Sequence, residues 1–337
     1  MATTDTGVYP PLYLRTWRLR VLTPDNGNGQ QTLIDISSQQ DATTNMKITF
    51  DVDTHVFRAY WQAEIVIFNP SLQLTQMIVQ GSEVSLAVGY RADGEPTEIF
   101  RGVVYQPLWE KRDATDVMLT LLCMVGLDKL TKNIIHVVTG KFAQQRDIVL
   151  AMAQGASSPI TMGYLAPQSD FRVQALPRSA TIFGTPSTLF ADVAKANDMV
   201  CFHDQNGLNL GKLARSDSSV DITYAPPLQP GDPPDTAATT HSLLGVPQQT
   251  ELGVAYRTLI DPKHRVKLPP MQVQLRNSII RQQAIQPGQY QSILSQDGVY
   301  LTAGIRYIGD TRGNIWESQV EAVTSVQGIL ALAGGGN

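Results

Sequence analysis

The sequence predicts a mainly β protein with α+β inserts, in which two small barrel or sandwich blocks flank a set of helix-and-hairpin modules. Strict two-residue alternation dominates both ends of the chain, as in Met46, Ile48, Phe50 and Val52 against Lys47, Thr49, Asp51 and Asp53. Helical periodicity with cap chemistry is confined to one short stretch near Asn69 and to the middle of the chain. A length of 337 residues exceeds one ordinary small domain and suggests two or three.

Residues 1–12 are polar and contain Pro10-Pro11, which reads as an extended arm. A first β block spans 13–128. Trp17, Leu19 and Val21 form one face of a strand, 24–29 is a hairpin-style loop, and Leu33–Ile36 is the returning strand. Ala63–Phe68 is a further strand, apolar except for Glu64. Asn69 has the chemistry of an N-cap and Pro70 that of a first helical residue, with Leu74, Met77 and Ile78 on one face and Gly81 as the stop. Strands follow over Glu83–Tyr90, Glu98–Trp109 and Asp116–Val125. Six or seven strands with one short helix in about 110 residues favour a small barrel or sandwich.

Residues 129–246 change character. Phe142–Gln154 has an amphipathic pattern with Ile148, Val149 and Met152 on one side. Thr185-Pro186 opens a second helix whose stripe is Leu189, Phe190, Val193 and Ala194. Met199–His203 and Leu208–Leu213 flank an Asn206-Gly207 turn, which supplies the positive φ a tight hairpin demands. The Pro- and Gly-rich stretch 225–240 is linker-like, and its segment near Pro226–Pro234 is the expected internal site of protease attack. A second β block over 247–325 holds strands at Gly253–Ile260, Val266–Leu268, Met271–Leu275, Val299–Tyr307 and Asn314–Val323. Residues 326–337 form a glycine-rich tail expected to be flexible.

Hydrophobic residues at 42% and charged residues at 17% describe a folded, water-soluble chain with substantial cores. A formal net charge of −4 argues against a general nucleic-acid binder. No apolar run reaches the roughly 18 residues of a membrane helix, and the start lacks a basic, apolar leader. No stable membrane association is therefore expected, and synthesis and folding are placed in the cytosol. Cys123 and Cys201 both sit in apolar strand-like runs and read as reduced core thiols, with a disulfide left open.

The residues show no catalytic, cofactor-binding or metal-binding constellation. His55, His136, His203, His241 and His264 are scattered, and no two have the i, i+4 spacing of helical metal ligands. In the densest cluster, Cys201-Phe202-His203-Asp204, Cys201 and His203 share a strand face; a hairpin edge with a surface histidine explains it more simply. Gly184–Ser187 is a helix cap, not a nucleophile elbow, and no phosphate-cradling glycine motif is present. Strand carboxylates such as Glu64, Glu83, Glu98 and Glu110 leave a glycosidase pair formally open. The segment Ile308–Trp316 is a polar hairpin tip. Its Asp310–Arg312 pair can stiffen the turn by a few tenths of a kcal/mol, and Asp310, Arg312 and Trp316 are candidate interface residues for docking on another subunit.

Three stretches together resemble the baseplate hub proteins of contractile-tailed bacteriophages, a family sharing its fold with the N-terminal part of type VI secretion spike proteins. They are Ala63–Tyr90 with Ile99–Val104, Pro247–Leu268, and Val299–Trp316. Each motif is weak alone; their order and spacing over roughly Trp17 to Val323 carry the resemblance. Lys263-His264-Arg265 departs from it, where relatives commonly have a glycine turn. The resemblance implies two tail-tube-like β-barrel domains per subunit and a homotrimer adapting a hexameric tail tube to a trimeric tail spike. It implies contacts with the tail-tube protein, the tail-spike protein and other baseplate proteins, DNA only in transit, and a place in the virion tail baseplate after assembly in the host cytoplasm. No cofactor and no enzyme activity follow from it. A tail-tube or distal-tail ring protein is the alternative within such a particle, and a cell-wall glycan hydrolase acting in penetration the alternative outside it.

Overall fold

A computed structural model describes residues 15–25, 29–38, 46–90, 94–111, 116–126, 129–130, 132–172, 175–214, 219–226, 240–250, 253–276, 278–281 and 298–324. The expected arm 1–12, the Pro-rich stretch around 227–239 and the tail 326–337 lie outside the described residues.

The N-terminal block consists of β1 (Arg15–Leu22), β2 (Leu33–Ser37), β3 (Ile48–His55), β4 (Gln62–Phe68), α1 (Leu72–Met77), β5 (Glu83–Tyr90), β6 (Thr97–Lys111) and β7 (Val117–Met124). The alternation in the sequence translates directly into burial: Ile48, Phe50 and Val52 are buried while Thr49, Asp51 and Asp53 are half-exposed. At α1 the cap differs from expectation. Ser71, not Asn69, caps the helix, its Oγ accepting from Leu74 N at 3.1 Å. Asn69 instead adopts φ 51°, its Oδ1 accepting from Val117 N at 3.0 Å, so the residue that resembled a cap ties the end of β4 to β7. An asparagine tolerates this left-handed conformation at little cost.

The middle module contains β8 (Ile135–Thr139), α2 (Gln145–Gln154), β9 (Met162–Leu165), β10 (Ala180–Gly184), α3 (Pro186–Ala196), β11 (Val200–Asp204) and β12 (Gly207–Gly211). It has its own core, in which Ile148, Val149 and Met152 of α2 meet Phe190 and Ala194 of α3. Thr185 and Pro186 start α3 as the sequence predicts. Helix α2 starts three residues later than its periodicity suggested, because Phe142 takes φ 64° and leaves the helical path. Gly207, at φ 129°, closes the β11–β12 hairpin, and a Cβ there would overlap the Thr161 backbone.

The C-terminal block adds β13 (Ile222–Ala225), β14 (Thr240–Ser242), β15 (Gln248–Gln249), β16 (Gly253–Leu259), β17 (Gln272–Leu275), β18 (Val299–Asp310) and β19 (Trp316–Val323). Residues 266–268, expected as a strand, alternate in burial but pair with no strand among the described residues; Val266 and Leu268 fill the core from a loop. Period-two burial requires a surface to alternate against, not a ladder partner.

Both β blocks belong to one 14-stranded sheet, with main path β14-β13-β17-β18-β3-β4-β7-β6-β5-β1-β2 and a branch β18-β19-β16-β15. The junction is the antiparallel pair β3–β18, running from His55↔Gly304 to Thr49↔Asp310. The structure is thus mainly β, as expected. Its ladders form one continuous sheet across the two blocks and do not trace two separately closed barrels among the described residues. The middle module docks at the β3–β4 turn, where Trp61 stacks on Phe202 with ring centroids 5.8 Å apart and His203 N donates to Ala59 O at 2.9 Å.

Candidate functional site

Register decides which side chains share a face, because residues directly opposite in a ladder point the same way. Followed from strand to strand, Asp35 lies opposite Arg20, Arg20 opposite Ser85, and Ser85 opposite Arg101. Beyond β7, Leu122 lies opposite Glu64 and Glu64 opposite Asp51. Arg306 is opposite Asp53 and Gln319, and Gln319 is opposite Arg257. One face of the sheet is therefore polar over β2, β1 and β5 and again from β4 to β16, with Val103, Met124 and Leu122 as an apolar break at β6 and β7. The other face carries Leu19, Leu86, Leu121, Ile65, Val52, Tyr307, Val320 and Tyr256, all buried.

The polar face carries charges of both signs. Asp51 faces a like charge in Glu64, a destabilising arrangement, and Arg306 relieves it by gripping Asp51 through two hydrogen bonds, one from Nε at 2.8 Å. Arg58 pairs with Asp53 at 2.5 Å and Arg257 with Glu317 at 3.6 Å. His55 Nε2 lies 3.1 Å from Glu321 Oε2, and this hydrogen bond holds the Glu321 carboxyl below its ordinary range. At the far end the Arg18 guanidinium does the same for Asp35. Such exposed pairs add little stability; what they produce is a wall of mixed sign, in which most arginines are paired with carboxylates while Glu64 and Glu83 stay exposed. A broad cleft of about 940 Å³ indents this wall where β16, β19, β18 and β3 meet, lined by Asp53, His55, Arg58, Arg257, Arg281 and Arg306 among others.

The candidate interface residues cluster beside the polar wall, but with different roles. Asp310 Oδ1 accepts from Arg312 N at 2.9 Å and Gly313 N at 2.8 Å, and its carboxylate pairs with Lys47 at 3.0 Å. Asp310 thus stiffens the turn through Arg312's backbone, while its ion partner is Lys47. Arg15 clamps the same turn from β1, donating to Gly313 O at 2.7 Å. Arg312 and the neighbouring Asn314 and Ile315 are exposed. Trp316 is 2% exposed and belongs to the core. Gly309 explains why: it lies between Phe50 on β3 and Trp316 on β19, and its missing side chain lets the two rings meet edge to face at 5.4 Å.

His203 is buried, not the surface histidine its hairpin position suggested. Its Nδ1 lies 2.9 Å from Asp204 O, its ring covers Gly126, and burial pushes its imidazole down to about 4. Among the described residues no three His, Cys, Asp or Glu side chains gather as a metal group. Cys123 and Cys201 are free thiols, and burial pushes Cys123 up to about 12.

Sequence reasoning missed a buried polar network around His264. Tyr224 Oη lies 3.0 Å from His264 Nδ1, Thr302 Oγ1 lies 2.9 Å from Nε2, and Tyr307 O–H donates to the His264 carbonyl at 2.5 Å. The departure from a glycine turn at Lys263-His264-Arg265 was its only trace: a histidine replaces backbone freedom with side-chain bonds linking β13 to β18.

No protein-family profile and no curated sequence matches the chain. Solved structures do. A 43 kDa tail protein of prophage MuSo2 from Shewanella oneidensis aligns with a TM-score of 0.53 at 10% identity, over 91% of this chain and 98% of that one. A tail protein from Neisseria meningitidis MC58 aligns with a TM-score of 0.53 at 12% identity, over 91% and 96%. The chain has a tail-protein fold. Because both alignments cover most of each partner, the tail-protein fold includes the 14-stranded sheet and the middle module together.

Proposed function

We propose that the chain is a structural virion protein, the hub of a contractile-tail baseplate. Three copies form a ring in which each subunit presents two tube-like units, 13–128 and 247–325, with 129–246 as an outer insert. Six similar units meet the hexameric tail tube above, and the threefold arrangement meets the trimeric tail spike below. The observation that supports this best is the β3–β18 junction, which fuses the two blocks into one sheet with a single polar face. A hexameric tube subunit needs only one such block.

In this reading the polar face lines the channel through which DNA passes. Paired carboxylates and arginines give DNA phosphates no strong foothold, since binding to them scales with the number of free cations offered. The end strands of the sheet's main path among the described residues, β2 and β14, are satisfied by neighbouring copies, removing edges by ring closure. The turn at Asp310 and Arg312 docks on the next subunit, with Trp316 supporting it from beneath. Other baseplate proteins bind the outer surface, and the assembled hub resides in the tail baseplate after assembly in the host cytoplasm. The protein has no enzymatic step in this role.

Electron microscopy of the purified chain tests the reading directly. Threefold particles with pseudo-sixfold density at one end are expected. A true sixfold ring would make it a tube or distal-tail protein, and clearing of a peptidoglycan zymogram, lost on one carboxylate substitution, would make it a hydrolase.

A further inference from the structure

The hub reading leaves the outer face of the β8–β10 ribbon without a role. This ribbon is a two-stranded sheet whose inner side, with Ile135, Val137 and Ile182, packs into the middle core against α2. On its outer side Phe183 is 70% exposed and Val138 68% exposed, with His136 against the Phe183 ring at 6.0 Å, and beyond the end of β8 Phe142 is 65% exposed. Phe142 has φ 64°, a conformation that bulky residues rarely adopt. Adjacent large apolar side chains this open mark an interaction surface.

Two observations describe the occupant. Among the described residues no strand pairs with the far edge of β10, so alternate backbone N–H and C=O groups face outward there. That edge, Ala180–Gly184, has none of the lysines or prolines that usually blunt an exposed strand. The second observation is charge. Over the whole insert, 129–246, nine Lys or Arg balance nine Asp, so any bias is local to the ribbon. Along the ribbon, residues 129–146 and 171–191 contain no carboxylate, with Asp147 and Asp192 at their borders, while Lys141 and Arg178 flank one end of the strand pair.

We propose that the β8–β10 ribbon docks an extended, acidic and apolar segment of another protein, which adds as a third strand along β10 and lays apolar side chains beside Phe183 and Val138. Backbone bonds supply the register, the aromatic face supplies burial, and the lysine and arginine rim selects carboxylates. The site lies on the insert, away from the polar sheet face, and stands whether or not the chain forms a trimeric hub.

The test is binding of the full chain to a fluorescent eight-residue peptide alternating glutamate and valine. Saturable binding is expected, with at least about a tenfold loss for Phe183→Glu and for Lys141→Glu. The same peptide with lysine for glutamate, or with alternate backbone amides N-methylated, is expected not to bind. Equal binding of the lysine peptide would overturn the charge argument, and equal binding of the methylated one would overturn strand addition. No binding of the acidic peptide, or no effect of Phe183→Glu in a chain with unchanged circular dichroism, would overturn the proposal altogether. If Phe183→Glu disturbs folding, Val138→Thr takes its place, because it keeps strand propensity and removes apolar contact. A change in the sedimentation of the chain alone on either substitution would make the patch a contact between copies and refute a foreign acidic partner.

Discussion

Replacing Trp316 separates a core role from an interface role. A large aromatic side chain removes up to about 250 Å² from water, which at about 25 cal/mol per Å² is an upper bound of roughly 6 kcal/mol. Truncations of buried Trp or Phe to Ala cost about 3–5 kcal/mol. The lost edge-to-face contact with Phe50 and the Arg15 guanidinium 5.2 Å over the ring place Trp316→Ala in the upper part of that range. Trp316→Phe should behave differently. Its Nε1 is buried with no hydrogen-bond partner among the described residues, and an unmet donor costs about 1–3 kcal/mol. Phenylalanine removes that donor and keeps most of the ring, so its loss should stay under about 1.5 kcal/mol. Urea unfolding followed by circular dichroism, with the slope checked for constancy, measures both. If Trp316→Ala lost less than about 1 kcal/mol while the mass of the assembled particle fell, the ring would be acting between subunits and the packing argument would fail.

Gly309→Ala places a Cβ into the Phe50 ring and should cost about 1–3 kcal/mol by overpacking, read by the same unfolding experiment. For His203, the folded state disfavours the charged imidazole, so stability is fully present above the ordinary value near 6.5 and falls as pH drops toward about 4. Asp204 opposes this, since burial raises its carboxyl. The difference in stability between wild type and His203→Asn should therefore change with pH between 6.5 and 4, and a flat difference would refute the burial argument. Ser71→Ala removes the α1 cap and should cost about 0.5–2 kcal/mol, whereas Asn69→Ala should instead loosen the β4–β7 connection; comparing amide exchange in α1 and at Val117 for the two variants distinguishes these roles.

Alternation at Ile48–Val52 and Val84–Val88 assigned strands and their faces correctly, and Pro186 and Asn206-Gly207 placed a helix start and a hairpin. These signals are local. Side-chain direction follows from backbone period, and caps and turns are set by single residues, so a linear reading suffices. The errors arose where a residue's partner lies far along the chain. Asn69 has cap chemistry, but its hydrogen bond goes to Val117. Trp316 follows a polar turn, but Gly309 and Phe50 create the space that buries it. His203 ends a hairpin, but Gly126 covers it.

The sequence alone therefore settled that this chain is mainly β, where its middle helices lie, and which side of alternating strands such as β3 and β5 is dry, while β8, β9, β10, β13 and β14 were not read as strands. Only the tertiary structure decided that the two β blocks share one sheet through β3 and β18. Residues 49–55 and 304–310 are paired across some 250 positions. Pairing at that separation leaves no periodic mark in either strand, because the same alternation serves any partner that offers a matching edge. For the same reason the charges of Asp51, Glu64 and Arg306 look unrelated in sequence, and become neighbours on one face only when the register aligns them.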